Sequence, residues 1–91
     1  MTKVGDLVSE ATLILRERGE QYGEASDLFQ HTARRFSLVL GADISPVTVA
    51  RLLVELKLAR LDCGHNSKDS YLDAAGYLDI AHHLKENDAE I

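Results

Sequence analysis

Four charged residues interrupt otherwise apolar helical text. Lys57 and Arg60 fall in RLLVELKLARLDCGHN (51–66), and Asp69 and Asp73 in SKDSYLDAAGYLDIAHHL (67–84). A charge among Leu, Val and Ala costs free energy unless it has a partner or a task. If the two blocks form an antiparallel hairpin closed near Cys63 to Asn66, counting outward from the turn sets Arg60 level with Asp69 and Lys57 level with Asp73. Two acids at i and i+4 repel each other, so something must offset that repulsion. Three chemistries would do so. Arg60 and Lys57 can bridge to the two aspartates as a ladder that sets hairpin register. The paired carboxylates can hold Mg²⁺, which is usually bound through one or two of them. Alternatively, Lys57, Arg60 and Lys68 take the phosphates of a small anionic ligand while Asp69 and Asp73 hold its base or ribose. Spacing alone leaves the three open.

The elements that must position these residues follow from periodicity. Val4, Leu7, Val8, Ala11, Ile14 and Leu15 recur at helical spacing, predicting a first helix over about 2–18 with Gly19 as its cap. Glu20-Gln21-Tyr22-Gly23 reads as a short connection with a tight turn at the second glycine, and Tyr22 is either a lid on the core or a ligand contact. A second helix over about 25–40 turns Leu28, Phe29, Ala33, Phe36 and Leu40 inward and Asp27, Gln30, Arg34 and Ser37 outward, with Gly41 at its end. His31 and Arg35 share a face that can meet an anion or simply be solvated.

Ser45-Pro46, an N-cap followed by proline at the first helical position, starts a third helix over about 46–62. At 100° per residue, Val49, Leu53 and Leu56 share a sector with Lys57 and Arg60, while Arg51, Glu55 and Asp62 lie opposite. Asn66 or Ser67 caps a fourth helix over about 68–85, on which Asp69, Asp73, Gly76 and Ile80 fall in one arc with Tyr77 at its edge. Residues 87–91 form a polar tail, and no alternating strand pattern occurs. The expected fold is all-α: a single domain over 1–91, a four-helix bundle built on antiparallel helical hairpins.

Composition bounds the function. A 91-residue chain builds a small core, so self-association into a homo-oligomer is expected to complete the burial. Fifteen acids against ten Lys and Arg give a net charge of −5, and no basic stripe is present, which argues against a nucleic-acid partner. The lone Cys63 cannot form an internal disulfide or a zinc pattern, which suits a reducing compartment, and reads as an idle thiol. Asp6 and Glu10 break the apolar N-terminal stretch, and no run approaches a membrane span, so the protein is expected to be soluble and intracellular, without a membrane partner.

RGEQYG near residue 18, LKLAR at 56–60 and GHNSKDSYLDAAGY at 64–77 resemble a family of small uncharacterised phage and prophage proteins. That family in turn resembles the MazG-like all-α nucleoside triphosphate pyrophosphohydrolases. The resemblance spans about Leu15 to Leu84. It implies a small, commonly oligomeric helical subunit, in a host cytoplasm if phage-encoded, with a nucleotide site between helices. In the pyrophosphohydrolases a Glu-rich motif and an acid pair ending in Asp carry Mg²⁺, which activates water. Asp73 matches the terminal Asp and Asp69 stands near its partner acid. Where two or three glutamates belong, this chain offers only Glu55, which leaves Asp69, Asp73 and Glu55 as the metal ligands. The resemblance thus implies nucleotide handling by one of two routes. One is Mg²⁺-dependent hydrolysis of a nucleoside triphosphate. The other is non-catalytic capture of a nucleotide or nucleotide-derived signal, with Tyr22, Lys57, Arg60, His65, Lys68, Asp69, Asp73 and Tyr77 as contacts. A helical interaction protein whose hairpin charges only set register is the third reading.

Overall fold

The computed structural model describes residues 2–17, 22–64 and 67–87, and side chains within 2–17, 26–64 and 67–86. The expected Gly19 cap and residues 88–91 of the polar tail therefore lie outside the described residues. Four helices form, α1 (Asp6–Glu17), α2 (Tyr22–Leu40), α3 (Pro46–Asp62) and α4 (Lys68–Asn87), and no strand occurs among the described residues.

Two helix starts differ from expectation. α1 begins four residues late, because Gly5 has a φ of +97° and the Lys3 N–H donates to Asp6 Oδ2 at 2.7 Å, closing a turn before the helix. α2 begins early, at Tyr22, so Tyr22 and Gly23 open a helix and do not form a tight turn. Glycine can take helical backbone there, at an entropic cost of about 0.5–1 kcal/mol relative to Ala.

The other ends follow local chemistry. Gly41 adopts a φ of +68° and its N–H reaches the Ser37 carbonyl at 2.9 Å. Ser45 caps α3 by accepting from the Thr48 N–H at 3.1 Å, with Pro46 next in line. Gly64, at φ +86°, ends α3, and Ser67 caps α4 by accepting from the Ser70 N–H at 3.2 Å. Ser37 proves to be structural. It is half-buried and takes the Ile44 N–H at 2.9 Å while donating to the Ala33 carbonyl at 2.7 Å, tying the α2–α3 turn to α2.

α3 and α4 form the central pair, α2 packs on α3, and α1 packs on α4. The core joins Phe29 and Ala33 of α2, Val49 and Ala50 of α3, and Ala81 and Leu84 of α4. Its small residues let helix axes approach closely; Ala50 is completely buried. Leu28 and Leu40, expected inward, are instead 60% and 61% exposed, because α2 meets its neighbours only along Phe29, Ala33 and Phe36. The molecule is thin, 45 × 32 × 17 Å, with a radius of gyration of 14.2 Å where a compact chain of this length has about 12 Å.

Candidate functional site

Lys57 is carried by the α4-facing side of α3, and its Nζ lies 2.9 Å from Asp73 Oδ2 on α4. The lysine side chain is 20% exposed and the aspartate 48%. The level of this pair along the hairpin matches the count from the turn. The second rung does not form: Arg60 is exposed and makes no ion pair with Asp69 among the described residues. Height alone is insufficient. Arg60 is turned 60° around the helix from Lys57, so when Lys57 faces α4 the arginine is carried past it.

Asp69 and Asp73 stand one turn apart on α4 and floor a groove against α1. Its walls are Ala11, Ile14 and Leu15 of α1 and Leu72, Gly76, Tyr77 and Ile80 of α4, and it encloses about 250 Å³. The site is therefore apolar on the α1 side and carboxylate-lined on the α4 side. Gly76 widens it, since a methyl group built there would meet no heavy atom within 4 Å. A larger groove of about 600 Å³ lies between the residues preceding α1 and the start of α4, with Glu10, Lys68 and Tyr71 in its wall.

Lys68, read as a phosphate contact, is ion-paired with Glu10 of α1. Sequence reasoning did not single out Glu10, because periodicity within α1 says nothing of which helix end lies beside it. The pair pins the first turn of α4 to α1 and leaves Lys68 60% exposed. His65 lies outside the described residues, as does the side chain of Tyr22. Cys63 is exposed at the end of α3, as are His31 and Arg35 on α2.

Glu55 is exposed on α3, 200° around the helix from Lys57. Among the described residues no group of three or more His, Cys, Asp or Glu side chains comes together. Asp73 already carries an ammonium partner, so a divalent cation at Asp69 and Asp73 would sit against the Lys57 charge. The donor set does not fit the multi-carboxylate Mg²⁺ centre that the resemblance implies. No helix among the described residues is long and apolar enough to cross a membrane.

Comparison with known proteins finds one relative and one family by sequence. No solved structure matches the chain. The Gene 55 protein of Mycobacterium phage D29 is 35% identical over 78 residues, covering 86% of this chain and 52% of the relative. The chain thus spans about half the length of the curated relative it matches. Residues 6–85 match the family model described as "Domain of unknown function (DUF6378)". With helices α1 to α4 falling almost wholly inside that match, the chain belongs to the DUF6378 family.

Proposed function

We propose that this protein binds a small phosphorylated nucleotide in the α1–α4 groove and holds it without hydrolysing it. The observation that carries the reading is the composition of that groove: apolar walls, two carboxylates one turn apart, an aromatic ring at Tyr77, and one lysine at the acid edge. Ligand pockets are mostly apolar with a few placed polar groups, and about 250 Å³ lies just under their usual range of roughly 300–1,000 Å³. That volume suits a base and sugar, with the phosphates left at the rim. Asp69, which has no cation partner among the described residues, accepts hydrogen bonds from an exocyclic amine or a ribose hydroxyl. Lys57 exchanges part of its contact with Asp73 for a phosphate oxygen.

Hydrolysis needs a group that activates water. Bound Mg²⁺ would supply that activation and neutralise phosphate charge, but two aspartates, one already paired with a half-buried lysine, do not suit it. Capture fits this donor set better than catalysis. The test is a thermal-shift panel of nucleoside mono-, di- and triphosphates, each with Mg²⁺ and with EDTA, run beside a phosphate-release assay with added pyrophosphatase. A ligand at 100 times its Kd adds about 2.7 kcal/mol of stability. Stabilisation without phosphate release, lost in Asp69→Asn, supports capture. Mg²⁺-dependent release supports hydrolysis, and silence across the panel sinks both.

A second reading, an interaction protein without a small ligand, is favoured by one separate observation. Val8, Leu13, Leu38, Val39 and Leu56 are all more than half exposed, which leaves apolar side chains on α1, α2 and α3 available to a protein partner.

A further inference from the structure

α3 is apolar on two sides. Val49, Ala50 and Val54 are buried against the rest of the chain. On another side Leu52, Leu56, Ala59 and Cys63 follow one another at spacings of four, three and four, and all four are exposed, Leu52 by 42% and Leu56 by 55%. A helix with apolar residues on both sides belongs between two layers, and here the second layer is missing. We propose that a second copy of the chain supplies it, with α3 packed in parallel against α3 of the partner subunit.

Three observations point to a second copy. The first is the spacing. Alternating steps of four and three are the a and d positions of a heptad seam, with Leu56 and Cys63 at a and Leu52 and Ala59 at d. The second is area. A compact monomer of 10.1 kDa exposes about 5,300 Å², whereas this chain exposes 6787 Å². The chain thus exposes more than a compact monomer of its mass, and a second copy on α3 covers part of that surface. The thin shape, 17 Å across, leaves room for a second layer.

The third observation is charge, and it sets the direction. Glu55 and Arg60 flank the stripe on opposite sides, both exposed and in no ion pair among the described residues. They occupy g and e, five residues apart. In a parallel pair, g of one helix meets e of the next heptad on the other. Glu55 then faces Arg60 of the partner subunit, and the two-fold axis repeats the contact. An antiparallel pair with Leu52 beside Cys63 of the partner subunit would instead bring Glu55 toward Asp62 of the partner subunit, acid against acid. Glu55 and Arg60 were both candidates for the site and both lie outside the groove, and the seam gives each a partner.

Cys63 makes the geometry measurable, because parallel a positions lie side by side. Sedimentation of the full chain at high micromolar concentration is expected to give twice the 10.1 kDa chain mass. A short bis-maleimide is expected to link Cys63 to Cys63 of the partner subunit in high yield, and Cys63→Ser to abolish the product. Leu56→Glu is expected to give a monomer with unchanged helical circular dichroism. Glu55→Arg is expected to raise the dimer dissociation constant about tenfold, and Glu55→Arg with Arg60→Glu to restore it. A monomer throughout overturns the proposal. So does a dimer that fails to link through Cys63, or one in which a Leu52→Cys variant links preferentially to Cys63 of the partner subunit, the signature of antiparallel packing.

Discussion

Replacing Asp73 by asparagine removes one charge from the Lys57–Asp73 pair and leaves its shape intact. The cost follows from burial. Breaking a fully buried pair costs about 3–5 kcal/mol, because the remaining charge is stranded; breaking an exposed pair costs about 0–1 kcal/mol. Lys57 is only 20% exposed, so it is poorly placed to recover hydration, while Asp73 is 48% exposed and the site is partly screened. Asp73→Asn is therefore expected to cost about 1.5 kcal/mol, toward the lower end between those limits. For a domain of this length that lowers Tm by about 6–12 °C. The reverse change is asymmetric. Lys57→Met removes the group that is short of water, fills the same space, and leaves an aspartate that is half in solvent already. It is expected to cost less than about 0.5 kcal/mol. Urea unfolding of both variants and the double variant, at one fixed protein concentration, measures the two costs and their coupling. If Asp73→Asn unfolds at the parent's urea midpoint, or Lys57→Met is the more damaging change, the pair does not hold the hairpin.

Gly76→Ala is expected to raise stability by about 0.5–1 kcal/mol, since the helix gains a better former and the added methyl meets nothing within 4 Å. The same methyl enters the α1–α4 groove, so nucleotide binding measured by calorimetry is expected to weaken; unchanged affinity would move the site elsewhere. Ser37→Ala is expected to cost about 1 kcal/mol by taking the acceptor from the Ile44 N–H. Hydrogen exchange should show that amide opening faster while those in the middle of α3 keep their protection.

Residue spacing alone determined much of this protein. The four helices follow from apolar periodicity, and the strongest boundaries, Gly41, Ser45-Pro46 and Ser67, follow from cap chemistry that acts within a few residues. The Lys57–Asp73 rung was legible because height in an antiparallel hairpin is a matter of counting from the turn. Other features depend on where a neighbouring helix lies, which no local pattern states. Arg60 missed Asp69 because the rotation of α3 was set by burying Val49, Ala50 and Val54. Lys68 went to Glu10 because α1 came to rest against the start of α4. Leu28 and Leu40 were left exposed because α2 touches the hairpin along a narrow stripe. Local physics decided which residues form helices and where they end; only packing decided which way each helix turned, and so which charges met and which apolar side chains remained uncovered.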